Sequence, residues 1–118
     1  MPKPLPVLVD VSPICCMPLG ANPSLDRDDA IALAVRLKAL ADPARLQLLA
    51  HILSQPGLEA CTCTMAPLVN LSEPTVSHHL KKLEMSGLLT KERRGMNVYY
   101  RGVPEAIHAI ATALHVNC

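Results

Sequence analysis

The side chains best equipped for chemistry in this chain are its thiols. Cys15 and Cys16 stand side by side in "ICCMP", Cys61 and Cys63 flank one threonine in "CTC", and Cys118 is the last residue. Sulfur ligands select soft ions and exclude Mg²⁺ and Ca²⁺. A pyramid of three thiolates suits arsenite or antimonite, whose lone pair fills the remaining direction. A tetrahedron of four suits cadmium or zinc, with lead a further soft candidate. The adjacent pair is a poor disulfide, since bonding neighbours strains the specific geometry that a disulfide needs. It is a good pincer for a trivalent metalloid. An odd cysteine count, with these spacings and without a signal-peptide pattern, does not read as a secreted disulfide framework. The chain is therefore expected to be cytoplasmic, with reduced thiols.

Elements must bring those thiols together. Residues 1–24 hold six of the eleven prolines counting to Pro23, and are expected to form a flexible Pro-rich arm carrying Cys15 and Cys16. Residues 25–118 are expected to form one domain. In "SLDRDDAIALAVRLKALADP", Ser24 or Asp26 can cap a helix that is apolar around almost its whole circumference, and such a helix is buried, in part against another subunit. "ADPARLQLLAHIL" starts a second helix with Asp42 as cap, Pro43 in its first position and a stripe through Leu46, Leu49, Ala50 and Leu53. A short third helix is expected over Thr62–Val69, with "ACTC" at its entrance. Inside a helix, side chains two apart point about 200° apart, so Cys61 and Cys63 can share an ion only where the helix begins. There the dipole also favours thiolate.

"LSEPTVSHHLKKLEMSGLL" carries the clearest helix marks: Ser72 as cap, Pro74 in the first turn, Gly87 as stop, and Val76, Leu80 and Leu83 as the inward stripe. "LLTKERRGMNVYYRG" reads as two strands turning near Arg94-Gly95, and "VPEAIHAIATALHV" as a last helix with a stripe through Ile107, Ile110, Ala111 and Leu114. The order is ααααββα: mainly α with a small β-hairpin, a winged helix-turn-helix. In that plan the second helix of the pair enters the major groove. Thr75 and Ser77 can approach phosphates and base edges, His78 and His79 can donate to either, and Lys81 and Lys82 neutralise phosphate. Arg93 and Arg94 on the hairpin can reach the backbone or the minor groove. The overall charge of +1 says little, but residues 72–101 sum to +3 while residues 1–30 sum to −2.

"LKALADPARLQLL", "SEPTVSHHLKKLEMSGLLTKERRG" and "VYYR" together resemble the arsenic-repressor (ArsR–SmtB) family of metal-responsive winged-helix repressors, over roughly residues 30–115. The resemblance implies a homodimer built on the first and last helices, bound without metal to operator DNA in its own promoter and released when metal or metalloid binds. Ser72, Tyr99 and Arg101 join the DNA-binding residues on the same footing. The family often carries Cys-x-Cys at the third helix, sometimes with another cysteine three residues on, where this chain has Ala66. The missing ligands are then expected from Cys15 and Cys16, so the metal set is Cys15, Cys16, Cys61 and Cys63. As(III) or Sb(III) is the expected inducer, Cd(II) or Pb(II) the alternative, and mercury a further one.

The family's other common site, zinc on the last helix, lacks its Asp-x-His here. His108 and His115 lie about 10 Å apart along a helix axis. With Glu105 they are the only candidates for it, and the two histidines read as surface or interface residues, His51 as structural and Cys118 as incidental. A thiol redox switch on the same DNA-binding scaffold is the competing regulator. An enzyme is not expected: no acid–base pair, Gly-rich phosphate loop or nucleophile motif occurs, and neither an organic substrate nor a membrane is implied.

Overall fold

The computed structural model describes Leu19 and residues 25–114, so Cys15, Cys16, His115 and Cys118 lie outside the described residues. Five helices and three strands follow in order: α1 (Arg27–Leu40), α2 (Pro43–Ser54), a 3₁₀ turn (Pro56–Leu58), β1 (Glu59–Cys61), α3 (Thr62–Val69), α4 (Glu73–Met85), β2 (Leu89–Arg94), β3 (Asn97–Gly102) and α5 (Pro104–Ala113). This is the expected winged helix-turn-helix with one addition. The hairpin is joined by β1 into a three-stranded antiparallel sheet of order β1-β3-β2. Three residues are too few to show a period-two pattern, and the partner strand lies some forty residues on, so β1 has no local signature.

Local chemistry accounts for the helix limits. Asp26 caps α1 by accepting from the Asp28 N–H, and Asp42 caps α2 by accepting from the Arg45 N–H with Pro43 in the first turn. Ser72 caps α4 by accepting from the Thr75 N–H. Gly87, at φ 87°, ends α4 in a Schellman motif: Leu88 N–H donates to Leu83 O (3.1 Å) and Gly87 N–H to Glu84 O (2.9 Å). Asn70, at φ 58°, ends α3 in the same way, with Leu71 N–H donating to Ala66 O (3.2 Å) and Asn70 N–H to Pro67 O (3.3 Å). The turn between α3 and α4 is therefore only Asn70, Leu71 and Ser72, and its left-handed residue fixes the angle at which α4 departs.

The core is aliphatic. Val76, Leu80 and Leu83 of α4 are wholly buried with Leu48 and Ile52 of α2, Met65 of α3 and Leu88. Each such side chain contributes about 1.5–3 kcal/mol. The stripe expected on α2 is shifted: Leu48, Leu49 and Ile52 face inward, Leu53 is half-buried, and Leu46 and Ala50 are exposed. "LQLLAHIL" is apolar on two adjacent sides, and packing against α3, α4 and β3 selects between them. The stripe on α5 is shifted likewise. Ala106, Ala109, Ile110 and Ala113 are buried, Ile107 and Ala111 are half-buried, and Leu114 is exposed. On α1, Leu33 and Ala39 are buried while Ile31 and Val35, one turn apart, are about half exposed, leaving an apolar strip open in the single chain.

Two outcomes test this architecture. Asn70→Gly is expected to keep the stability of the parent, whereas Asn70→Ile costs about 1–2 kcal/mol in urea unfolding, because a β-branched residue resists the left-handed conformation. The Arg45 N–H, donating to the Asp42 carboxylate, holds that carboxyl below its usual range. Asp42 thus contributes stability above the ordinary carboxylate pKa of about 3.9, and that contribution is lost as pH falls through the depressed value. In Asp42→Asn, which caps without titrating, the urea midpoint is expected to fall less steeply between about pH 5 and 2.

Candidate thiol site and nucleic-acid interface

Cys61 occupies two elements at once. It is the last residue of β1, paired with Tyr99 of β3, and the N-cap of α3 in extended conformation. Because the helix has not begun at Cys61, its sulfur is free of the 200° rule and turns toward Cys63, whose N–H donates to Cys61 Sγ at 3.2 Å. Thr64 Oγ1 donates to Cys61 O at 3.0 Å, holding the same turn from the other side. The two sulfurs converge, with Cα atoms 5.2 Å apart, and are joined as a disulfide. The sulfurs of this motif thus meet where the helix starts and not within it. Cys61 is buried and Cys63 exposed, so the motif opens to solvent through Cys63. Among the described residues, no group of three or more His, Cys, Asp or Glu side chains is placed to hold a metal ion. A complete thiolate site at this motif would need ligands beyond them.

The face of α4 opposite its buried stripe carries Thr75, Ser77, His78, Lys81 and Lys82, all exposed. Ser72, besides its capping role, lies 2.9 Å from Thr75 Oγ1 through its hydroxyl. His79 departs from that face. It is half-buried against α2, and its Nδ1 accepts from Arg45 Nε at 3.2 Å. The same atom lies 3.9 Å from Asp42 Oδ2, beyond hydrogen-bond distance. Arg45 also donates through Nη1 to Ala39 O at 3.1 Å and Lys38 O at 3.5 Å. One guanidinium therefore ties the end of α1 and the start of α2 to α4. Sequence reasoning passed over Arg45, which looks like an ordinary surface position of an amphipathic helix.

The wing sorts its charges by strand alternation. Opposed pairs place Glu59, Cys61, Thr90, Glu92, Arg94, Asn97, Tyr99 and Arg101 on one face of the sheet, and Ala60, Leu89, Val98 and Tyr100 on the core face. Arg93 alternates to the second set and is exposed beyond the core near the tip. Arg94 is fully engaged on the first face. Nη1 donates to Glu59 Oε2 (2.9 Å), Nη2 to Glu59 Oε1 (2.8 Å) and to Glu92 Oε1 (2.8 Å), and its plane sits 4.5 Å over the Tyr99 ring. Arg101 Nη2 donates to Glu59 Oε1 at 3.4 Å. The Arg94 guanidinium, more than any other group, holds the Glu59 and Glu92 carboxyls below the usual carboxylate range. Burial pushes the Tyr100 hydroxyl up, with the Glu84 charge adding to it. Glu59 was invisible in the sequence as a site residue, since it sits 35 and 42 positions from the arginines that it binds. Its place two residues before Cys61 was the one available hint.

The chain is similar to known proteins in sequence and in fold. A family model described as "Bacterial regulatory protein, arsR family" matches residues 42–91. A transcriptional repressor SmtB homolog of Synechocystis sp. is 41% identical over 73 residues, 62% of this chain and 53% of the relative, so the chain spans about half of that protein's length. Arsenic resistance transcriptional regulator ArsR1 of Pseudomonas putida is 33% identical over 89 residues, 75% of this chain and 68% of the relative. A cadmium resistance transcriptional regulatory protein CadC homolog of Staphylococcus aureus is 35% identical over 80 residues, 68% of this chain and 64% of the relative. Among solved structures, the homodimeric winged helix-turn-helix DNA-binding domain Mb0332 from Mycobacterium bovis superimposes with a TM-score of 0.62 at 28% identity, covering 75% of this chain and 82% of that one. A shared fold would leave the lineage open, but identity of this level across two thirds of a relative does not, and the chain belongs to the arsR family of bacterial regulatory proteins.

Proposed function

We propose that this chain is a metalloid-responsive transcriptional repressor. It binds operator DNA as a homodimer through α4 and the β2–β3 wing, and leaves it when As(III) or Sb(III) binds cysteine thiolates. The observation that carries the reading is the convergence of Cys61 and Cys63 where β1 ends and α3 begins, one short helix ahead of α4. In the reduced state these two sulfurs fit a soft ion, and Cys15 and Cys16 supply what the motif lacks. Each As–S bond formed from a thiol and arsenous acid releases one water, the thiol proton leaving with a hydroxide. The α4 face (Ser72, Thr75, Ser77, His78, Lys81, Lys82) and the wing (Arg93, Arg94, Tyr99, Arg101) make the DNA contacts. His79 contributes by fixing α4 on Arg45. The open strip of Ile31 and Val35 on α1, with Leu114 at the end of α5, supports a dimer built on those two helices. No helix among the described residues is long and apolar enough to cross a membrane.

Cadmium or lead is the alternative inducer on the same thiolates, since arsenic and cadmium regulators both stand among the relatives. A thiol redox switch is favoured by one observation, the covalent pairing of Cys61 with Cys63. Forming that bond from two thiols gives two protons and two electrons to an oxidant such as peroxide.

The test is binding to a DNA fragment of the chain's own promoter, under reductant, with and without arsenite, cadmium or lead. Arsenite is expected to weaken the complex about 5–150-fold, the usual range of such coupling. If none of the three weakens it, the metal reading fails; if peroxide, added in a parallel series without reductant, does so instead, the redox reading replaces it. Changing Cys15 and Cys16 to Ser together is expected to abolish arsenite release while leaving DNA affinity unchanged. Intact release in that variant removes the arm from the site.

A further inference from the structure

We infer that Glu59 is an intramolecular phosphate mimic, which occupies the wing arginines and makes their availability to DNA depend on the state of Cys61. The inference rests on the DNA-binding and thiol readings above. Three observations carry it. First, the contact of Glu59 with Arg94 is bidentate, two parallel N–H···O bonds of 2.9 and 2.8 Å. That fork is the one with which arginine grips a phosphate, so the two acceptors exclude each other. Second, Glu59 also takes Arg101, so a single carboxylate engages two of the four wing residues expected on DNA. With Glu92, this face carries two cations and two anions and offers the duplex no net charge. Third, Glu59 and Cys61 are the two ends of one three-residue strand and lie on the same face of it, opposite Arg101 and Tyr99. Tyr99 is the ring on which Arg94 rests. A shift at Cys61 therefore reaches Glu59 across Ala60 of the same strand, and reaches Arg94 through the pairing of Cys61 with Tyr99.

Stability is not the role of this cluster, because exposed ion pairs contribute little. The cluster instead sets how many cations the wing presents. Any ligand or bond that draws Cys61 toward Cys63 fixes the end of β1, and with it the carboxylate that competes with DNA. By reciprocity, DNA that pulls Arg94 from Glu59 loosens the hold of the thiol site on its ligand by the same factor.

The experiment compares wild type, Glu59→Gln and Glu92→Gln under reductant on the promoter fragment, across salt concentrations, with and without arsenite or cadmium. Glu59→Gln keeps the side-chain shape and removes the charge. It is expected to bind DNA about 3–10-fold more tightly, with a plot of log affinity against log salt steeper by about 1–2, as one or two added phosphate contacts require. Its release factor is expected to fall at least about threefold below that of wild type. Glu92→Gln, whose carboxylate sits on the wing strand itself, is expected to keep the wild-type release factor. A purely structural role for Glu59 would lower the melting temperature and shift affinity equally with and without ligand. Unchanged affinity and salt slope in Glu59→Gln overturn the phosphate-mimic assignment. An unchanged release factor overturns its link to Cys61. If wild type itself is not released by either ion, the thiol reading fails, while the affinity and slope comparison still decides the mimic.

Discussion

The burial of one stripe on α4 governs the rest of this molecule. Val76, Leu80 and Leu83 have no exposed surface, and Leu88 extends the stripe past the helix stop. Because these side chains enter a close-packed aliphatic core, α4 cannot rotate about its axis without opening cavities. Its rotation decides that Thr75, Ser77, His78, Lys81 and Lys82 face outward, while His79 meets Arg45. Ser72 and Asn70 then set where the helix begins and the angle at which it leaves α3. The chemistry of the outward face follows from the apolar chemistry of the inward one.

The second organising feature is the double use of Cys61. A residue that ends a strand and caps a helix belongs to the wing and to the helix-turn-helix together. Its sulfur meets Cys63 and its strand partner is Tyr99. A thiol motif placed in the middle of α3 would have separated its two sulfurs and touched only the helix layer. Placed at the junction, it adjoins α3 through covalent backbone and the wing through a three-residue ladder. Short edges of this kind are held by few hydrogen bonds and are among the parts of a fold that open most readily.

Charge needs tertiary structure before it means anything. In the sequence the run Lys91, Glu92, Arg93, Arg94 reads as a basic hairpin. In the fold, strand alternation separates Arg93 from Arg94, and β1 delivers Glu59 to the latter. Arg94 is thus a spoken-for cation, and Arg101 is partly so. Similarly, the two histidines of "SHHL" look equivalent in the chain, yet one is exposed and the other accepts from Arg45.

What the chain determined by itself is what local chemistry can determine. The caps at Asp42 and Ser72, the stop at Gly87, the turn at Gly95, the stripe of α4 and the place of "CTC" at a helix entrance were all legible. Each depends on residues within about a turn of one another, where propensity and capping act. Only the tertiary structure decided β1, the choice of buried stripe on α2 and α5, the role of Arg45, and the pairing of Glu59 with Arg94 and Arg101. β1 exists because β3 offers it an edge. The stripes were ambiguous because those helices are apolar on more than one side, and only their neighbours say which side is inward. Arg45 and Glu59 act across 34 to 42 positions of sequence, a span over which no periodicity carries information. Contacts of that kind arise when elements pack, and they are where this protein's charges acquire their partners.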